Sequence, residues 1–116
     1  MRGTPPLTVV EAPAFLSASA GLLDEEERAE LVDFLAHNPA AGDLIQGTGG
    51  VRKLRWRLAG RGKRGGARVI YFYHDPKMPV FLLTMFAKNV RADISQAARN
   101  DFRRLTRAIV ESFGRK

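Results

Sequence analysis

The chain lacks cysteine altogether and has only two histidines, His37 and His74, among its 116 residues. Without thiols it can form neither disulfides nor thiolate metal sites, and two separated histidines do not suggest a metal cluster. The most apolar segment, residues 80–87, is far shorter than the roughly 20 residues that span a bilayer. The first residues also lack a long apolar stretch, so we expect no signal peptide, no cofactor or metal, and a cytoplasmic protein.

Acidic side chains are scarce in the second half of the chain. Residues 1–50 carry two basic and eight acidic side chains, a net charge of −6, whereas residues 51–116 carry 17 basic and four acidic side chains, a net charge of +13. Such asymmetry points to a polyanionic partner for the second half. The alternative is a basic surface that only keeps the protein soluble, because charge alone is a non-specific signal.

The length suits one domain, residues 1–116, and the patterns predict the order β, α, α, β, β, β, α. A short strand over residues 7–11 precedes a short helix that ends near Gly21. Asp24, with Glu27 three residues later, predicts the start of a second helix that Pro39 ends. Ser95 is the predicted N-cap of a last helix that runs to about Glu111. We therefore expect an α+β fold, a small antiparallel sheet with helices packed on one face.

The predicted strand "VRKLRWRL" alternates between apolar and basic residues. One face carries Leu54, Trp56 and Leu58, and the other carries Lys53, Arg55 and Arg57. Residues 52–68 contain eight basic side chains and no acidic one. A glycine-rich loop, "AGRGKRGG", follows the strand with Arg61, Lys63 and Arg64. We expect the glycines of this region to let the backbone approach a phosphate.

Three segments, "AGDLIQGTGGVRKLRW", "GRGKRGGARVIYFY" and "FLLTMFAKN", resemble the RelE/ParE toxin superfamily, most closely its HigB-like branch. The resemblance implies a RelE-like two-layer fold and a type II toxin–antitoxin toxin held inactive by an antitoxin in a hetero-oligomer. RelE-like and HigB-like members are ribosome-dependent mRNA endoribonucleases, which hydrolyse mRNA and inhibit translation. ParE-like members inhibit DNA gyrase. A non-catalytic nucleic-acid-binding module is the third alternative.

The resemblance also implies roles for single residues. Arg68 stands where the superfamily places a phosphate-stabilising arginine, and Lys88 stands at a basic strand end. Lys53 and Arg55 match the basic strand, so the expected catalytic set is Arg68, Lys88, Lys53 and Arg55. The expected RNA-binding residues are Arg57, Arg61, Lys63, Arg64 and Arg91. RelE-like members carry a tyrosine shortly after the lysine position, whereas this chain reads "NVRADIS" and has Ser95 there.

Overall fold

The structure, a computed structural model, describes residues 5–58, 66–88 and 94–114. Its elements follow in the order β1 Val9–Glu11, α1 Pro13–Ser19, α2 Glu25–His37, β2 Asp43–Leu44, β3 Val51–Trp56, β4 Ala67–Phe72, β5 Val80–Ala87 and α3 Gln96–Gly114. Every predicted helix and strand is present. The two-residue strand β2 lies in a segment for which the sequence predicts only a loop.

The five strands form one sheet in the order β1-β5-β4-β3-β2. Strands β2 to β5 pair antiparallel, but β1 pairs parallel with β5, so the sheet is mixed rather than antiparallel as expected. The α+β class is confirmed. The middle strand is β4, all of whose residues are buried.

The helices lie on both faces of the sheet, which corrects the expectation of a single helical face. On one face, Phe15 of α1 and Leu31 of α2 pack in a cluster with Val69 and Tyr71 of β4. On the other face, Phe102 and Ile109 of α3 pack against a second apolar cluster. It includes Val51, Ile70, Phe72 and Leu83 of the strands. Because successive side chains of a strand point to opposite faces, β4 is apolar on both sides and needs two covering layers.

Helices α2 and α3 begin where their capping residues predict. The Asp24 carboxylate accepts a hydrogen bond from the Glu27 N–H at 2.8 Å, and the Glu27 side chain accepts one from the Asp24 N–H at 2.9 Å. Together they form the predicted capping box. The Ser95 hydroxyl accepts a hydrogen bond from the Ala98 N–H at 3.1 Å, which confirms it as a cap. Ser95 therefore has a structural role at the start of α3.

The turn between β2 and β3 docks on the middle of α3. The Thr106 hydroxyl donates to the Thr48 carbonyl oxygen at 2.8 Å. Gly49 has a φ of +80°, and a Cβ there would lie 2.5 Å from the Thr106 hydroxyl oxygen. A Cβ on Gly50 would lie 2.9 Å from a ring carbon of Phe72. These two glycines therefore permit close packing inside the protein. Of the loop glycines expected to approach a phosphate, Gly60, Gly62 and Gly65 lie outside the described residues.

Candidate functional site

Two arginines predicted to act together lie directly opposite each other on neighbouring strands. Arg55 of β3 is the Cα partner of Arg68 of β4, and Lys53 is the partner of Ile70. Directly opposed residues in an antiparallel pair share one face, so Lys53, Arg55 and Arg68 all lie on the face that α3 partly covers. Like charges that face each other in this way destabilise a sheet. An external anion would relieve this repulsion.

Arg68 is buried, with 7% of its surface exposed. Its Nη1 donates to the carbonyl oxygen of Ala67 at 3.4 Å. Within residues 5–58, 66–88 and 94–114, no ion pair involves Arg68. A buried cation without a carboxylate partner is costly unless something neutralises it. The Arg68 guanidinium is thus the group in this region best suited to a bound phosphate, whose oxygens match its fork of donors.

An open groove of about 360 Å³ brings these cations together. Its lining residues are Ala41, Asp43, Lys53, Leu54, Arg55 and Arg68. Three of the four residues predicted to be catalytic therefore share one groove. The fourth, Lys88, is exposed just beyond β5 and is not among the lining residues. Its N–H donates to the Gly66 carbonyl oxygen at 3.1 Å, which ties it to the strand that carries Arg68, two residues away.

Asp43 is the residue of this groove that the sequence patterns did not reveal. It begins β2 and is the Cα partner of Lys53, so the carboxylate side chain belongs to the same surface as the cations. A hairpin signal does precede β3, because "GTGG" is a turn sequence between two short segments. A hairpin over residues 43–53, as this turn sequence indicates, places Asp43 beside Lys53.

The segment before Asp43 is held by two side chains from the opposite face of the sheet. The Tyr71 hydroxyl donates to the Pro39 carbonyl oxygen and accepts from the Gly42 N–H, both at 2.8 Å. Arg52 Nη1 donates to the carbonyl oxygens of Ala40 at 3.2 Å and Gly42 at 2.7 Å. Arg52 is therefore a structural cation, although it belongs to the same basic run as Lys53 and Arg55.

Burial raises the pKa of the Tyr71 phenol. The hydrogen bond from Gly42 and the charge of Arg52 act in the opposite direction, and the charge of Asp43 adds to the increase. The phenol therefore stays protonated and donates to Pro39. Gly42 is equally constrained, because a Cβ there would lie 2.9 Å from the Lys53 carbonyl oxygen and 3.0 Å from the Tyr71 hydroxyl.

The predicted RNA-binding residues are not all part of this groove. Arg57 is exposed beyond the end of β3 and lines a separate depression with Glu27, Glu30 and Trp56. The strand alternation that placed it beside Arg55 stops at Trp56. The other four predicted residues, Arg61, Lys63, Arg64 and Arg91, lie outside the described residues.

Two features are absent from the described part of the chain, a metal-binding cluster and a membrane-spanning helix. Within the three described ranges, no group of three or more His, Cys, Asp or Glu side chains could hold a metal ion. No helix in the same part of the chain is long and apolar enough to cross a membrane.

Comparison with known proteins agrees with the fold. A family model described as the RelE toxin of the RelE/RelB toxin–antitoxin system matches residues 23–114. Among solved structures, the chain is similar to a double arginine-to-alanine mutant of E. coli toxin RelE in the free state, with 17% sequence identity and a TM-score of 0.54. This match covers 88% of the present chain and 97% of the other. At such identity the structural likeness supports the shared fold, while the family model matches most of the sequence.

Proposed function

Because the chain belongs to the RelE toxin family of toxin–antitoxin systems, we propose that it is a HigB-like endoribonuclease that cuts mRNA on the ribosome. Its action stops translation, and we place it in the cytoplasm, where ribosomes and mRNA meet. The observation that supports this most strongly is the buried Arg68, which lies beside Arg55 on the neighbouring strand, in a groove that Lys53 also lines. Such a constellation suits a phosphate whose negative charge increases during reaction.

The proposed reaction is an internal transesterification of RNA. The ribose 2′-oxygen attacks the adjacent phosphorus, the bond from phosphorus to the 5′-oxygen breaks, and a 2′,3′-cyclic phosphate remains upstream. Arg68 and Arg55 donate to the phosphorane oxygens, whose charge is greatest in the transition state. Lys53 and Lys88 contribute positive charge and proton movement. Since these side chains supply the stabilising charge, the mechanism uses no metal ion.

Other basic residues bind the RNA and the ribosome in this proposal. Arg57, Arg61, Lys63, Arg64 and Arg91 contact phosphates without taking part in the chemistry, and their contribution depends on salt because each contact releases a counterion. The protein partner is a cognate antitoxin, as the family implies. We expect the antitoxin to cover part of the basic half with an acidic or amphipathic segment, in a hetero-oligomer.

Expression of variants without antitoxin tests the role of the groove. Arg68→Ala should fold and bind the antitoxin but should not arrest growth, because loss of one preorganised donor lowers the rate by about a hundred- to a thousandfold. Arg104→Ala is the matched control. Arg104 is an exposed arginine that pairs with Asp101 on α3 and does not line the groove. It should therefore remain toxic.

The same variants separate cleavage from gyrase inhibition. A supercoiling assay with purified gyrase should show no inhibition by the parent protein. If folded Arg68→Ala arrests growth as strongly as the parent, the groove is not the active centre. Inhibition of supercoiling by both proteins would then support a ParE-like toxin.

A further inference from the structure

One carboxylate lies among the cations of the groove. Asp43 is exposed at the start of β2, is the Cα partner of Lys53, and lines the groove together with Lys53, Arg55 and Arg68. It is the only acidic residue among the six described lining residues. Thus the groove combines a proton acceptor with groups that bind phosphate.

A negative charge at this place is unfavourable for binding RNA. Asp43 repels each phosphate that Arg55 and Arg68 attract, and the repulsion is strengthened wherever water is excluded. A groove used only for binding would gain affinity from an uncharged residue at position 43. The carboxylate is therefore better explained by a chemical step that needs a base than by substrate affinity.

The position of Asp43 is also tightly determined. The residue just before it is Gly42. Its N–H donates a hydrogen bond to the Tyr71 hydroxyl, and its carbonyl oxygen accepts one from Arg52. No larger residue fits at position 42 without displacing Lys53 backbone or the Tyr71 ring. A short strand fixes the residue on its other side, since Leu44 pairs with Arg52. These contacts hold the backbone that carries the carboxylate, as a reacting group requires.

We propose that Asp43 is the general base of the cleavage reaction, an inference that rests on the endoribonuclease function proposed above. Its carboxylate takes the proton of the attacking 2′-hydroxyl while the 2′-oxygen bonds to phosphorus. The bond to the 5′-oxygen breaks, and that oxygen takes a proton from the Lys53 ammonium group. Exchange with water then returns a proton to Lys53 and removes one from Asp43, so both groups are restored.

The test compares RNA affinity with the rate of the chemical step. Asp43→Asn keeps the shape of the side chain and removes the base. Asp43→Glu keeps a carboxylate, and Asp33→Asn, on the exposed side of α2, is the matched control. Affinity is measured for ribosomes that carry an mRNA blocked by a 2′-O-methyl group at the cleavage site. The rate is measured in a single turnover with saturating toxin and unblocked mRNA.

We expect Asp43→Asn to bind the blocked complex at least as tightly as the parent and to cleave about a hundredfold more slowly or worse. Asp43→Glu should recover part of the rate, and Asp33→Asn should match the parent in both measurements. Circular dichroism checks the fold. Asp43→Ser provides a second side chain without a base if asparagine disturbs β2.

An mRNA with sulfur in place of the bridging 5′-oxygen distinguishes a base from an acid. A thiolate leaves without being protonated, so this substrate should restore cleavage by Lys53→Ala but not by Asp43→Asn. Rescue of Asp43→Asn, or cleavage of ordinary mRNA at the parental rate, would overturn the proposal. A parent protein that cuts no mRNA on the ribosome would instead reject the endoribonuclease function itself.

Discussion

At the scale of single residues, neighbouring cations of β3 and β4 have different roles. Lys53, Arg55 and Arg68 line the groove, whereas Arg52 holds the segment of residues 39–42 through hydrogen bonds to Ala40 and Gly42. Alternation along β3 correctly placed Lys53 and Arg55 on one face, and the superfamily resemblance singled out Arg68. Which residues meet across strands depends on pairing register, which local pattern does not contain. The opposition of Arg55 to Arg68, the inclusion of Asp43 and the structural use of Arg52 therefore became visible only in the fold.

Removing the buried charge of Arg68 should leave the protein as stable as before or more stable. Arg68→Met keeps an unbranched side chain and eliminates both the positive charge of a buried residue and its repulsion with Arg55. We expect the free energy of unfolding to stay the same or to rise by about 1 kcal/mol. Urea denaturation measures it.

Arg52→Met is the comparison for that experiment. It removes the hydrogen bonds to the carbonyl oxygens of Ala40 and Gly42 and should lower the free energy of unfolding by about 1–3 kcal/mol. If Arg68→Met proves less stable than Arg52→Met, then Arg68 supports the fold, and its burial is no argument for a phosphate site.

At the scale of elements, long patterns were predicted well and short ones were not. Capping residues gave the starts of α2 and α3, and alternation gave β3, because each signal extends over several residues. Strand β2 has two residues, too few to show a period. The single-face expectation failed although "RVIYF" is almost continuously apolar, which is typical of a strand covered on both sides.

The contact between β4 and the 39–42 segment should contribute to both stability and activity. Tyr71→Phe leaves the Gly42 N–H and the Pro39 carbonyl without their partner, which should lower the free energy of unfolding by about 1–3 kcal/mol. The cleavage rate should also fall, because residues 39–42 precede Asp43. Tyr73→Phe is the control. Chemical denaturation measures stability, and the single-turnover assay measures the cleavage rate. If Tyr71→Phe loses no more stability or activity than Tyr73→Phe, the Tyr71 contacts are unimportant.

The same substitution should change how stability responds to alkaline pH. The pKa of Tyr71 is raised in the folded protein, so the unfolded chain loses the phenolic proton first. The contribution of Tyr71 is complete below about pH 10, the ordinary tyrosine value, and decreases as the pH rises through the higher folded value. Tyr71→Phe should therefore show a smaller loss of stability above pH 10 than the parent. Identical slopes would contradict the raised pKa.

At the scale of the whole molecule, an acidic helix and a basic helix lie on opposite faces of the sheet. Helix α2, with Glu25, Glu26 and Glu27 in its first turn, packs on one face. Helix α3, with Arg99, Arg103 and Arg107, packs on the other, which is also the face of the groove. Such a separation orients a basic surface towards a polyanion. The sequence predicted the charge asymmetry, but only the fold shows that the acidic and basic helices lie on different faces of the sheet.

Analysis of mRNA ends in a translation system reconstituted from purified components tests the central proposal most directly. With the parent protein, we predict cuts only in mRNA that is being translated, each with a 2′,3′-cyclic phosphate upstream and a 5′-hydroxyl downstream. Folded Arg68→Ala should produce few such ends, and Arg104→Ala should match the parent. Intact mRNA in the presence of active parent toxin would contradict the account, and so would equal cleavage by folded Arg68→Ala.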